Sequence, residues 1–428
     1  MIYQAYQAHS SAMWPVRTLA GVAASALGRA GFGLTEAFSL RKFAAACEVI
    51  ALAALTHRRP DFGIRSVDVE GETVEVIEQV ACRTAFGTLL RFRKSIAVAQ
   101  PRVLIVAPMS GHFATLLRDT VRTMLPHHDV YITDWHNARD IPLAAGRFGL
   151  DEYTEHVMTF LRAIGPGAHV VSICQPCVAA LAATALMAAD DDPAVPCSLT
   201  LMAGPIDCRI SPTRVNALAT SRPIEWFERT LIALVPERYP GALRRVYPGF
   251  VQLLAFMNMN LERHIDAFRG LYADLIEGNG ARASTTRRFY EEYFAVADLP
   301  AEFYIETVRE VFQQYTLARG ALRWRGNAVN PRAIRRTALL TIEGEKDDIC
   351  SLGQTLAAQD LCARVPLFMR NHYIQPGAGH YGVFSGRRWH AKIYPVVREM
   401  IHVSEQTRVQ TRRRPAPKRT SATATAIG

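Results

Sequence analysis

The sequence predicts an α/β protein built on a mainly parallel, doubly wound sheet. Three observations carry that prediction. Short apolar runs alternate with helical patterns through most of the chain. One run, His169-Val170-Val171-Ser172-Ile173, stops at Cys174 and gives way at once to the alanine-rich pattern Val178-Ala179-Ala180-Leu181-Ala182-Ala183. Between Ala203 and Ala338 the rhythm breaks for a long, mostly helical stretch, too long for a simple crossover.

Taken in order, residues 1–62 read as a helical region rich in small residues. Segment 63–205 reads as the first part of the sheet domain. It opens with Val67 to Lys94, where Thr73-Val74-Glu75-Val76-Ile77-Glu78 alternates apolar and polar, the pattern of a hairpin or antiparallel edge strands. Apolar runs at Arg102–Ala107, Val130–Thr133, Val170–Ile173 and Leu199–Ala203 then suit strands covered on both faces. Segment 206–335 reads as a helical cap, or lid, inserted after the sixth core strand. It is rich in large apolar groups such as Trp226, Tyr247, Phe250, Phe268, Tyr290 and Tyr293. Segment 336–403 resumes the core with runs at Ala338–Ile342 and His372–Ile374. Segment 404–428 reads as a disordered basic tail.

Composition narrows the function classes. The chain has 428 residues, 49% hydrophobic and 21% charged, enough for a large core. The net charge is +10, but six basic residues and no acidic ones lie between Gln406 and Gly428. The excess is therefore mostly local, a solubilising tail or an arm for an anionic surface, and makes no case for nucleic acid. Eight scattered cysteines do not resemble the disulfide framework of a small secreted domain. The first residues lack the pattern of a secretory leader. Phe43 to Leu55 is apolar, but it is broken by Glu48 and too short to span a bilayer. The expectation is a reduced, cytoplasmic protein without a transmembrane segment.

The candidate chemistry centres on Cys174. A reactive side chain at a sharp strand-to-helix turn is lifted clear of the sheet, with a helix N-terminus behind it to stabilise negative charge. Ser172 and Pro176 stand where G-x-S-x-G would have glycines. Ser172 is small enough for close packing, and Pro176 lies near the helix start, where a missing N–H costs little. An acid follows in Gly344-Glu345-Lys346-Asp347, with Asp348 as its competitor. The glycines of Gly377-Ala378-Gly379-His380-Tyr381-Gly382 allow a sharp loop that swings His380 over the sheet. Chain order Cys…Asp…His suits a hydrolase or acyltransferase. The loop Met109-Ser110-Gly111-His112 follows the first core parallel strand. One oxyanion N–H is expected there, near Gly111, and the other at Gln175. Ser110 and His112 are possible pocket residues.

Cys174-Gln175-Pro176-Cys177 also has the C-x-x-C spacing of a redox dithiol, in which Cys177 would be the resolving thiol. That chemistry has no use for Asp347 or His380. A second C-x-x-C that would complete a zinc site is absent, as are a P-loop and an early G-x-G-x-x-G. No metal or cofactor is expected.

Longer motifs extend this reading. Ile173-Cys174-Gln175-Pro176, Met202-Ala203-Gly204-Pro205-Ile206-Asp207, Val246-Tyr247-Pro248-Gly249-Phe250, Phe289-Tyr290-Glu291-Glu292-Tyr293-Phe294, Thr341-Ile342-Glu343-Gly344-Glu345-Lys346-Asp347-Asp348 and Gly379-His380-Tyr381-Gly382-Val383-Phe384 resemble the intracellular polyhydroxyalkanoate (polyhydroxybutyrate) depolymerases. The similarity runs to about Val403. It implies an α/β-hydrolase fold, a Cys174–Asp347–His380 triad and hydrolysis of granule polyester to 3-hydroxybutyrate and its oligomers. The enzyme is then expected on polyhydroxyalkanoate granules, with polyester as its partner. Polyhydroxyalkanoate synthases use the same three residue types, but with Gly-x-Cys-x-Gly at the elbow. A granule-coat protein without catalysis is the other alternative.

Overall fold

The computed structural model describes residues 2–29, 36–259 and 261–413. Its centre is a nine-stranded sheet. The strands are β1 (Ser66–Val69), β2 (Glu72–Arg83), β3 (Gly87–Lys94), β4 (Arg102–Val106), β5 (Asp129–Trp135), β6 (His169–Ile173), β7 (Ser198–Met202), β8 (Ala338–Gly344) and β9 (Arg370–Gln375). They lie in the order β1-β2-β3-β5-β4-β6-β7-β8-β9. β1, β2 and β3 pair antiparallel, and β3 meets β5 antiparallel. All later pairings are parallel. With the short β1 set aside, this is the strand order of an α/β-hydrolase.

Burial explains the pattern. β6 and β7 are buried along their whole length, so β-branched and aliphatic residues fill both faces. Each such side chain taken from water contributes roughly 1.5–3 kcal/mol. β2, at the sheet margin, instead buries Val74 and Val76 and exposes the residues between them. On the sheet faces lie α3 (Arg118–Met124), α4 (Leu150–Ile164) and α5 (Cys177–Ala189). α4 buries Tyr153, Val157, Phe160, Leu161 and Ile164, one stripe at helical spacing. α5 is buried nearly all round, which accounts for its lack of charged residues.

Ahead of the sheet come α1 (Ile2–Arg29) and α2 (Glu36–Leu52), which pack on each other. The insertion between β7 and β8 holds α6 (Arg214–Thr220), α7 (Ile224–Leu231), α8 (Gly249–Met259), α9 (Leu261–Glu277), α10 (Gly280–Tyr293) and α11 (Ala301–Thr307). It is less purely helical than its composition suggests. Three short strands, Ala233–Leu234, Arg245–Tyr247 and Leu299–Pro300, form a separate sheet within it.

Two expectations need correction. β8 continues past Ile342 to Gly344, because Glu343 is not a turn residue but a buried strand residue. The expected disordered tail does not begin at 404, since helix α12 runs from Tyr394 to Arg413. Ile401 and Ser404 are buried, and the Glu405 carboxylate reaches the buried His169 ring at 3.4 Å, so contacts with the core carry the helix onward. Residues 414–428, the rest of that tail, lie outside the described residues. No described helix is long and apolar enough to cross a membrane.

Candidate active site

The elbow at the end of β6 is built by strain and close packing. Cys174 has φ +68°, a left-handed conformation that a residue with a Cβ adopts only where its surroundings enforce it. Two hydrogen bonds do so here: Cys174 N–H donates to the Met202 carbonyl at 2.8 Å, and Cys177 N–H donates to the Cys174 carbonyl at 3.1 Å. Pro176 precedes the first residue of α5 with φ −69°, which its ring supplies without cost. The missing elbow glycines are compensated on the neighbouring strand. A Cβ at Gly204 would lie 2.3 Å from Cys177 Cβ and 2.4 Å from its Sγ. Gly204 thus opens the space that lets α5 start so close to the sheet. The Cys177 thiol fills it and donates to the Ser172 carbonyl at 3.3 Å.

The acid loop follows β8. Asp347 is buried, and its Oδ1 accepts from the N–H groups of Ile349 at 2.9 Å and Cys350 at 2.8 Å. Its Oδ2 accepts from His380 Nδ1 at 2.8 Å. Asp348 is exposed and does not take that place. Glu343, which sequence reasoning missed, grips the following segment. Its Oε2 accepts from Gly353 N–H at 2.9 Å, and its Oε1 accepts from Thr355 at 2.7 Å and Leu356 at 3.0 Å. A lone carboxylate directly after the apolar run Ala338–Ile342 was the available signal.

His380 begins a short turn after β9. Gly344 permits its approach, because a Cβ there would lie 2.7 Å from the Ala378 carbonyl oxygen. The imidazole is bonded to Asp347 through Nδ1, and the Cys174 sulfur is near enough to act on the ring. Burial alone would make this ring less basic. The Asp347 carboxylate, the Cys174 sulfur and the hydrogen bond to Asp347 outweigh burial and raise its pKa well above the usual histidine value. A ring this basic, wedged between a carboxylate and a thiol, can take the thiol proton and hold it.

The loop after β4 meets the lid. Gly111 has φ +83° and donates nothing to the lid but accepts from it: Ala297 N–H bonds its carbonyl at 2.9 Å. His112 pairs as a β-bridge with Val296, and its Nε2 lies 3.1 Å from the Tyr293 carbonyl oxygen. Burial lowers its pKa to about 4, so the ring is neutral near pH 7. His112 therefore fastens the lid to the loop, with its ring against Phe256 and Tyr293. Ser110 is half-buried in the same loop, and Gln175 is half-buried beside Cys174. The lid segment 294–298 is a strap that sequence reasoning did not find. Besides Gly111 it is bonded to Thr56 through Val296 N–H at 2.8 Å. Asp298 accepts from the Tyr3 hydroxyl at 2.6 Å and from Gly249 N–H at 2.9 Å. Among the described residues, no group of three or more His, Cys, Asp or Glu is placed to hold a metal ion.

Residues 203–405 match the family described as PHB de-polymerase C-terminus. That span holds the lid, Asp347 and His380, and it starts beyond Cys174. No curated protein matches the chain. Among solved structures, the 2-hydroxy-6-oxo-6-phenylhexa-2,4-dienoate hydrolase from Rhodococcus sp. strain RHA1 is similar at 14% identity. Its TM-score is 0.41, over 77% of this chain and 100% of its own. The monoacylglycerol lipase of Paleococcus ferrophilus is similar at 10% identity and TM-score 0.40, over 74% of this chain and 99% of its own. The fold assignment rests on the strand order of the chain itself. That order is the α/β-hydrolase fold, and with the similarity of residues 203–405 to the C-terminal domain of the PHB de-polymerases it supports an ester-hydrolysing enzyme.

Proposed function

We propose that the enzyme is an intracellular polyhydroxybutyrate depolymerase in which Cys174 is the nucleophile, His380 the base and Asp347 the group that orients it. One observation carries the reading: a cysteine at a strained strand-to-helix turn lies near a buried histidine that is bonded to a buried aspartate at 2.8 Å. His380 takes the thiol proton, and the sulfur attacks an ester carbonyl carbon. The carbonyl oxygen becomes an oxyanion held by backbone N–H groups near Gly111 and at Gln175. Collapse breaks the C–O bond, and His380 returns the proton to the leaving alkoxide, which departs as the hydroxyl end of one fragment. Water then attacks the thioester, giving its proton to His380. The acid is released and the thiol reforms. Asp347 holds His380 Nδ1–H throughout, so that Nε2 faces the thiol. No cofactor enters these steps.

The substrate side rests on the PHB de-polymerase domain and on the apolar character of the lid. The expected products are 3-hydroxybutyrate and its oligomers. Attachment to the cytoplasmic polyester granule is part of the proposal. The exposed Trp14, Leu19 and Val22 of α1 and Phe43 of α2 support it, as apolar surface suited to an uncharged particle. The test is release of 3-hydroxybutyrate from amorphous polyhydroxybutyrate granules by the wild-type protein beside Cys174→Ala. Release should vanish in the variant. Equal release from both would overturn the assignment of the nucleophile, and release from neither would overturn the substrate.

A further inference from the structure

Two glutamine side chains at the oxyanion loop and the elbow carry buried carbonyl oxygens without a hydrogen-bond partner. Gln175 follows the nucleophile, and its Oε1 is one of them. Gln252 lies in the first turn of lid helix α8, and its Oε1 is the other. The Gln252 amide rests directly on the oxyanion loop. A Cβ at Gly111 would lie 2.9 Å from its Oε1 and 3.0 Å from its Cδ. The placement is built. Gly249 opens α8, and its N–H is held by Asp298. A Cβ on Gly249 would lie 2.6 Å from the carbonyl oxygen of Ala297, whose own N–H bonds Gly111. The strap thus fixes the oxyanion loop and α8 through two adjacent residues, Ala297 and Asp298.

A buried acceptor without a donor is costly, and what enters the site is the natural source of that donor. A poly(3-hydroxyalkanoate) chain is nearly all acceptors. Ester oxygens recur in every repeat, and the chain carries an alcohol O–H only at its hydroxyl end. When the terminal repeat is the one being cut, that hydroxyl lies three bonds from the scissile carbonyl carbon, beside the oxyanion. In a mid-chain cut the same position holds an ester oxygen, which has no hydrogen to give and faces acceptors.

Resting on the proposed polyester hydrolysis, we propose that Gln252 Oε1 accepts the terminal 3-hydroxyl of the polymer, so that the enzyme trims chains from the hydroxyl end. Gln252 is a specificity-determining residue in this reading. The dimer ester of 3-hydroxybutyrate with a free hydroxyl and the same dimer with that hydroxyl O-acetylated are the probes. A site that bonds a substrate hydroxyl rejects the analogue lacking it strongly. The expected preference of the wild-type enzyme in kcat/KM is about 100-fold for the free hydroxyl. In Gln252→Leu that ratio should fall below about 5-fold, with the loss on the free-hydroxyl dimer. The ratio is read on each protein separately, so a change in overall rate does not imitate the effect. Gln252→Met serves if the leucine variant does not fold. Equal wild-type rates on the two dimers would mean that the Gln252 amide holds only water, and would overturn end-recognition while leaving polyester hydrolysis intact. An undiminished preference in both variants would overturn the role of Gln252. Cleavage of neither dimer, together with no release from amorphous polyester, would sink the proposed function and this inference with it.

Discussion

The floor and the roof of the site are held by different means. The floor consists of the ends of β6, β8 and β9, and it carries Cys174, Asp347 and His380. Behind it α5 is buried nearly all round, and β6, β7 and β8 are buried end to end. The roof includes lid helices that bury little of themselves. α9 buries only His264 and Leu271 among its described residues, and α10 only Ala283, Tyr290 and Tyr293. What the roof lacks in packing it gains from a strap of hydrogen bonds at 294–298. The proposed reacting groups sit on packed elements, whereas Gln252, which touches the Gly111 loop from above, depends on a few polar contacts. The two regions should therefore fail in different ways.

The largest expected effect is on the floor. In Asp347→Asn the side-chain oxygen can still accept from Ile349 and Cys350, but the amide N–H group then faces His380 Nδ1. The ring must turn to the other tautomer, and its Nε2 then carries the proton instead of accepting one. Hydrolysis of a soluble butyrate ester should fall about 10³–10⁴-fold, as such a swap does in a serine-protease triad. The melting temperature should move little. A loss below 10-fold would show that Asp347 does not orient the base.

Next comes the strap. Asp298→Ala leaves the Tyr3 hydroxyl and the Gly249 N–H without their acceptor. Two buried groups left unpaired cost about 3–4 kcal/mol together. Hydrogen exchange should rise in α8 and in the first turns of α1, while β6 and α5 keep their protection. A uniform rise across the molecule would show that roof and floor unfold as one unit, and the contrast drawn above would fail.

What could be read in the sequence follows the same division. The elbow, the acid and the histidine were legible because each is a local pattern: an apolar run, then a turn, then a reactive residue. The absence of elbow glycines was visible as well, but the compensating Gly204 was not, because its importance lies in a contact with Cys177 across two strands. The Gly-x-x-Asp spacing favours Asp347 over Asp348, and only the fold decides which carboxylate is buried. The strap was hidden for a stronger reason. Gly111 and Ala297, or Tyr3 and Asp298, meet only after the lid has folded back across the sheet. Nothing in Ala295-Val296-Ala297-Asp298 distinguishes it from a loop. Helix α12 was cut short in the sequence reading because basic composition outweighed Ile401 and Ser404, whose burial is a tertiary fact.

A third test uses pH to isolate the contribution of His112 in the roof. His112 titrates near 6.5 in the unfolded chain, but burial holds it at about 4 in the fold. A folded pKa below the unfolded one means that the contribution is fully present above about 6.5 and is lost as pH falls through about 4. The gap corresponds to roughly 3 kcal/mol at most. Burial lowers the pKa of His57, beside Asp298, to about 3 as well, so the acid sensitivity has two contributors near the strap. Denaturant unfolding between pH 7 and pH 4.5 should show a steeper loss of stability in the wild type than in His112→Asn. The slope decides the matter, because the variant also lowers stability at pH 7. Parallel slopes would remove His112 from the account.

The smallest expected effect returns to the floor and addresses the C-x-x-C spacing. The Cys177 thiol is fully buried, bonded to the Ser172 carbonyl and packed against Gly204. Burial pushes its pKa up to about 12, so at neutral pH it is a thiol, whereas the reactive form in exchange is the thiolate. It fills a gap under the elbow instead of serving as a second reactive sulfur. Cys177→Ala removes one atom from a packed site and should cost about 1 kcal/mol. Ester hydrolysis should stay within about 3-fold of wild type, a change worth less than 1 kcal/mol in barrier height. Insulin reduction with a thiol donor should be absent in both proteins. A Cys177→Ala protein that lost hydrolysis while staying folded would give that sulfur a part in the chemistry, and the floor would then hold four working side chains instead of three.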